Sequence, residues 1–203
     1  MAKRPQPEPN RIQPMPAAPA SGGGKRVPKS PLVALVGTAA AVALATLIPH
    51  DESGRKVEAT VTRDGALRVR HVSGPQYLRA YSDVVGAWTI CDGDTLGVRQ
   101  GMVETEAGCQ ARLERQLVNH ARPVLSCVPG LKDRPNQLVA SVSLAYNIGT
   151  SGFCKSTAAR EFNAGRWRAG CDAFLRWNKA GGRPIAGLTA RRQRERALCL
   201  KGL

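Results

Sequence analysis

Apolar and polar positions follow different rhythms in different parts of this 203-residue chain. Residues 1–29 hold almost no core-forming side chains. They are rich in Pro, Gly and Ala with scattered Lys and Arg, which predicts a basic disordered tail. Residues 30–49, SPLVALVGTAAAVALATLIP, carry no charge. A helix of about 20 residues is roughly 30 Å long, the thickness of a bilayer's hydrocarbon core. Lys25, Arg26 and Lys29 precede the stretch, and Asp51 and Glu52 follow it. The pattern therefore predicts a transmembrane signal-anchor helix with a cytoplasmic N-terminus. Its eight Leu, Val and Ile side chains contribute only about −0.3 to −0.6 kcal/mol each, so the span is weakly held. The alternatives are a cleaved signal peptide, with ALA at 43–45 as its site, and a buried core helix.

Residues 50–72 read as a linker with a strand. Leu67, Val69 and His71 alternate with Arg68, Arg70 and Val72, a period of two. Gly74-Pro75 marks a break, and QYLRAYSD reads as a short helix capped by Ser73. A small β element is expected at 86–98. From residue 103 the rhythm is helical: Cys109, Leu113, Leu117 and Ala121 form one apolar stripe. RPNQLVASVSLAYNIG is apolar and stops at Gly149, and CKSTAAREFNAG stops at Gly165. WRAGCDAFLRWNKAGG and TARRQRERALCLKG supply two more helices. The expected fold class is α+β, a mostly helical domain over 73–203 with a small β-lobe, preceded by the tail and one membrane helix.

Charge narrows the partners. Thirty Lys and Arg against fifteen Asp and Glu give a net charge of +15, which favours polyanionic surfaces such as nucleic acid, anionic lipid or bacterial wall. The basic residues are spread along the whole chain without a zinc-finger or RNA-binding signature, and aromatics are only 4%. No specific nucleic-acid partner is therefore expected. Six cysteines, Cys91, Cys109, Cys127, Cys154, Cys171 and Cys199, all lie beyond residue 90 without a CxxC spacing. That usage predicts disulfides in an oxidising compartment rather than a metal site. Six cysteines allow about 15 pairings, so connectivity stays open.

Four blocks, LRAYSDVVGAWTICDGDT, SLAYNIGTSGFCKSTAAREFNAG, CDAFLRWNKAGG and GLTARRQRERALC, resemble the phage-type lysozymes (glycoside hydrolase family 24), in order over residues 75–203. The weak apolar helix before them resembles the signal-arrest-release segment of secreted endolysins. The resemblance implies a lysozyme-like fold and hydrolysis of the β-1,4 bond between N-acetylmuramic acid and N-acetylglucosamine. It implies peptidoglycan as partner, with no cofactor and no metal. It further implies a monomer held at the inner membrane through residues 30–49, facing the periplasm or released into it.

The family's site is a Glu, an Asp nine residues later and a Thr six residues after that. The resemblance places the Asp at Asp83 and the Thr at Thr89, and the Glu falls on Gly74. Glycoside hydrolysis takes a proton donor and a second carboxylate, so the donor must come from elsewhere. Asp92 and Asp94 in CDGDT are candidates, with turn residues as their other reading. His71 is next, since an imidazole donates near neutral pH. Glu104 and Glu106 suit a helix start. Asn147 is a candidate substrate contact. Arg191, Arg192 and Glu195 read as either an ion-pair network or part of the site, and Tyr81, Trp88 and Trp177 as core. A vacant donor position leaves two alternatives to a hydrolase: a peptidoglycan-binding pseudoenzyme, or a lytic transglycosylase that needs one acid/base.

Overall fold

The computed structural model describes residues 29–83 and 86–203; most of the tail expected at 1–29 lies outside them. The apolar segment does not form one helix. Ser30 opens α1 (Pro31–Val36), its Oγ accepting from the Val33 N–H at 3.0 Å and donating to Glu114. Gly37, at φ 81°, breaks the helix, and α2 (Thr38–Ser53) follows. Leu32, Ala40, Ala41, Leu44, Ala45 and Ile48 are buried in the main core. There α1 packs on α3 (Glu106–Cys127), and α2 packs on α4 (Pro135–Ile148).

Among the described residues no helix is long and apolar enough to cross a membrane. The reading of 30–49 as one membrane helix thus differs from this structure. A stretch rich in alanine and broken by glycine fits closely between other helices, which is the same weak hydrophobicity seen from inside a protein. The boundary expected at residue 73 does not divide the fold either, because the core draws on residues from 32 to 199.

After α2 the chain makes a ribbon, β1 (Lys56–Val61) and antiparallel β2 (Leu67–Ser73). β2 is the strand read from the alternation at 67–72; its partner was taken as linker. Val57 and Leu67 are buried, and Ala59, Val61 and Val69 pack on the main core. The Gln110 side chain grips the β2 edge, accepting from the Val69 N–H at 2.9 Å and donating to the Leu67 carbonyl at 3.0 Å.

The short helix expected at QYLRAYSD is absent. Residues 76–80 are extended, and Tyr81–Ser82 is β3, pairing with β4 (Trp88–Thr89). Tertiary pairing overrides the cap signal: the Ala80 N–H donates to the Met102 carbonyl at 2.8 Å, and the Glu104 N–H donates to the Leu78 carbonyl at 2.8 Å. The β element expected at 86–98 is correspondingly short. It is β4 and one bridge between Ile90 and Asp94.

The helical lobe follows its pattern more closely. Cys109, Leu113, Leu117 and Ala121 are the buried stripe of α3. Helix α4 is buried from Gln137 to Ala145 and ends at Gly149, as expected for a helix apolar nearly all round. Then come α5 (Thr150–Cys154), α6 (Thr157–Asn163) and α7 (Trp167–Asp172). A 3₁₀ turn at Ala173–Arg176 leads to a minimal hairpin, β5 (Lys179–Ala180) with β6 (Arg183–Pro184). Helix α8 (Ala186–Cys199) closes the fold. All six cysteines are oxidised, as Cys91–Cys109, Cys127–Cys154 and Cys171–Cys199.

Candidate active site

Helix α2 ends because Gly54 adopts φ 73° and donates its N–H to the His50 carbonyl. Its last turn carries His50, Asp51, Glu52 and Ser53. The chain then departs into β1–β2 and returns at Gly74, φ 87°. A Cβ on Gly74 would lie 2.6 Å from the Gly54 carbonyl oxygen. The two glycines touch, and position 74 has no room for a carboxylate side chain. Asp83 lies 31 residues after Glu52; removing the 22 residues 53–74 leaves nine, the spacing expected between donor and Asp. The vacancy inferred at Gly74 is the mark of an inserted ribbon, and Glu52 stands at its root.

Glu52 accepts from Arg191 Nη1 at 2.8 Å, and its side chain keeps 23% exposure. Arg191 also reaches Glu195 at 3.2 Å, Asp51 at 3.5 Å and the Ser143 carbonyl at 3.4 Å. One buried guanidinium is thus shared among three carboxylates. Burial works against the Arg191 cation, but Glu52, Glu195 and Asp51 outweigh it and hold its pKa above the ordinary value. Burial pushes Glu195 up against the opposing pull of Arg192, and it lowers Arg192 against the pull of Glu195. The RRQRER cluster is therefore an ion-pair network that also touches the site. Tyr146 marks where the carboxylates converge. Burial first, then Glu52, Asp92 and Asp94, push its phenol far above the ordinary value, so its hydroxyl stays protonated.

On the β3–β4 ribbon, Asp83 follows β3. Its Oδ1 accepts from the Ala87 N–H at 2.8 Å, and its own N–H donates to the Ala87 carbonyl at 2.9 Å. Thr89 pairs with Tyr81 across the ladder, is 4% exposed, and donates its hydroxyl to the Ala87 carbonyl at 3.2 Å.

Asp92 and Asp94 are both buried in ion pairs. Asp92 accepts from Arg55 Nε at 2.8 Å and Nη2 at 2.6 Å, both side chains being buried. Asp94 accepts from Arg112 at 2.8 Å, Arg115 at 2.9 Å, Gln116 at 2.7 Å and the Leu96 N–H at 3.0 Å. Both carboxylates are occupied by charge-assisted hydrogen bonds to arginine. Asp92 has another use: with Ser53 at 3.4 Å and Arg55, it ties the end of α2 to the loop after Thr89. His71 sits on β2 opposite Val57, its Nδ1 buried without a hydrogen-bond partner, on the inserted ribbon rather than on β3–β4. Asn147 is exposed on the last turn of α4, next to Tyr146 in sequence. Glu104 and Glu106 lie at the start of α3 as expected, where Glu104 pairs with Arg112 at 2.9 Å. Trp88 packs against a small core of Ala80, Ile90, Cys91 and Cys109, and Trp177 against the main core. Among the described residues no cluster of three or more His, Cys, Asp or Glu is placed to hold a metal. A groove of about 380 Å³ between β1–β2 and the start of α3 contains none of the candidate residues.

Glu52 is the residue that sequence reasoning missed. The signal was present: ESG at 52–54 is echoed by SG at 73–74 around an alternating stretch.

The family model for phage lysozyme matches residues 74–195, starting where the chain re-enters after the inserted ribbon. The chain belongs to the phage lysozyme family. This lysozyme-family chain is 35% identical over 162 residues to the SAR-endolysin of Enterobacteria phage P21, covering 73% of this chain and 96% of that one. It is 37% identical over 145 residues to the endolysin of Salmonella phage P22, covering 69% and 97%. Among solved structures it is similar to the active form of P1 phage endolysin Lyz (TM-score 0.57, 26% identity, 62% of this chain and 76% of that one). It is also similar to the muramidase domain of SpmX from Asticaccaulis excentricus (TM-score 0.54, 28% identity, 62% and 88%). The lysozyme-like α+β fold is thereby established, and with it a glycoside hydrolase of the lysozyme type.

Proposed function

We infer that this chain is an endolysin. It hydrolyses the β-1,4 bond between N-acetylmuramic acid and N-acetylglucosamine in peptidoglycan, in the lysis of a bacterial host. Glu52 is the proton donor, and Asp83 and Thr89 act from the opposite wall. The observation that carries this reading is the contact between Gly54 and Gly74, which brings the end of α2, with Glu52 on it, against the start of the segment that leads to Asp83. Glu52 protonates the leaving oxygen, Asp83 stabilises the developing positive charge or activates water, and the Thr89 hydroxyl orients that water. Arg191, already divided among three carboxylates, positions Glu52 by its 2.8 Å hydrogen bond. The net charge of +15 draws the protein to the anionic wall.

The test is clearing of outer-membrane-permeabilised cells by wild type and Glu52→Gln, with a mass spectrum of the products. The expected result is a loss of about 10²–10⁴-fold in the variant, with reducing-end products from the wild type. Anhydro-sugar products would make the chain a lytic transglycosylase. Unchanged clearing by the variant would remove Glu52 from the chemistry.

The same segment that forms α1 and α2 supports a second location. We propose that residues 30–49 occupy the inner membrane before release to the periplasm, with the fold described here as the released form. The support is the uncharged run flanked by basic residues on one side, together with relatives named SAR-endolysin. Replacing Gly37 and three alanines of the run by Leu should hold the protein in the membrane fraction. A wild-type protein cleaved near Ala45 would make the run a signal peptide.

A further inference from the structure

The extended segment 77–83 has two faces. Leu78 and Ala80 turn to the small core, against which Trp88 also packs. Trp88 pairs with Ser82, and Thr89 with Tyr81. Cross-strand partners share a face and neighbours along a strand alternate. Tyr81 and Thr89 therefore stand on the side away from the small core. Tyr77, Arg79 and Asp83 have the same parity as Tyr81. The segment curves enough for the Tyr77 and Tyr81 rings to meet, with centroids 4.7 Å apart and planes tilted by 40°. Tyr77 is 38% exposed, and Arg79, which lies between the two tyrosines in sequence, is exposed. Burial, then Tyr77 and the Asp83 carboxylate, raise the Tyr81 phenol above its ordinary value, so Tyr81 lies in the field of the candidate catalytic Asp.

We propose that Tyr77 and Tyr81 form a sugar-stacking subsite that continues the cleft beyond Asp83, with Arg79 as its contact for an anionic group on the muramyl residue. The proposal rests on the cleft assignment above and adds its substrate contacts. A pyranose ring offers a flat face of C–H groups, and a tyrosine offers a large rigid surface with a polar tip at little conformational cost. Two rings packed together at a tilt of 40° leave their outer faces for a sugar unit. N-acetylmuramic acid carries a lactyl group and, in the wall, a peptide with free carboxylates. An exposed arginine on the same strand face as the rings can meet such a carboxylate in a charge-assisted pair. Tyr77 packs on the Tyr81 ring and otherwise stands among the exposed large hydrophobic side chains.

The experiment uses the full chain with Glu52→Gln, so that the glycan is bound and not consumed. Two probes are titrated calorimetrically: tetra-N-acetylglucosamine, which is uncharged, and a disaccharide-peptide muropeptide, which carries carboxylates. Adding Tyr77→Ala should weaken both by about fivefold to tenfold, the range for losing one aromatic contact, with an unchanged Tm. Tyr77→Phe should regain most of that loss. Arg79→Gln should weaken the muropeptide alone, by about threefold, as expected for an exposed ion pair. Parent-like binding of both probes by Tyr77→Ala overturns the subsite while leaving the cleft intact. A Tm that falls with Tyr77→Ala and binding that Phe does not restore make the residue structural and overturn it too. A parent protein that binds neither probe overturns the cleft assignment and the subsite together.

Discussion

The ribbon β1–β2 pairs six residues with six, from Lys56 opposite Ser73 to Val61 opposite Leu67, and packs one face on the main core. The ribbon β3–β4 pairs only two with two. Yet the short ribbon bears Asp83 and Thr89, and the long one bears none of the groups proposed for chemistry. A two-pair ladder cannot hold a side chain in place by its own hydrogen bonds. Its position is set from outside. Cys91–Cys109 ties it to α3, Asp94 collects donors from Arg112, Arg115 and Gln116 of the same helix, and Asp92 closes on Arg55 at the root of the long ribbon. Regular secondary structure and precise placement are thus separate achievements here. The Arg55–Asp92 pair has particular leverage, because it joins the segment holding Glu52 to the loop after Thr89.

That contrast can be broken in order of expected effect. The largest concerns chemistry: Asp83→Asn should lower wall clearing by about 10²–10⁴-fold without loss of stability, while Arg63→Ala at the tip of the long ribbon leaves the rate within a factor of two or so. Clearing at the wild-type rate by Asp83→Asn would mean that the short ribbon is not the site. Next comes the anchoring charge. Asp94→Ala takes the shared carboxylate from Arg112, Arg115 and Gln116, leaving Arg112 with Glu104 alone, and should cost about 3–5 kcal/mol in denaturant unfolding; a loss below 1 kcal/mol or so would show that the ribbon is held without it. Replacing Cys91 and Cys109 together by Ser reopens an 18-residue separation and should cost about 3 kcal/mol, with activity falling further than the folded fraction does. The smallest effect belongs to the long ribbon: Leu67→Ala should cost about 2–3 kcal/mol, with activity per folded molecule preserved. Equal damage to activity from Leu67→Ala and from the cysteine pair would erase the distinction between the ribbons.

Much of the helical lobe was legible because its signals are local. The Cys109, Leu113, Leu117 and Ala121 stripe, the stop at Gly149 and the alternation at 67–72 all depend on neighbours in sequence. Asp83 and Thr89 were named through family motifs, and the family is confirmed, while their roles await the tests above. Glu52, the proposed donor, was hidden for a geometric reason. Counting residues back from Asp83 assumes a continuous chain, and a ribbon whose ends meet at Gly54 and Gly74 defeats any count without disturbing the space it crosses. Asp92 and Asp94 stand out in the sequence as acids beside Thr89, but their partners Arg55, Arg112, Arg115 and Gln116 come from 18 or more residues away, which no local pattern reveals. The stretch 30–49 was ambiguous in principle: a run of alanine and aliphatic residues reads alike whether its surroundings are lipid or protein.

The three disulfides pair successive cysteines, 91 with 109, 127 with 154 and 171 with 199, so none crosses another and none reaches a residue before Cys91. Oxidation thus braces the chain after Cys91 one stretch at a time, like three separate staples. The first staple, Cys91–Cys109, sits beside the short ribbon. Glu52 has no staple of its own: the shared core, Arg191 and the Arg55–Asp92 pair keep α2 and its end in place.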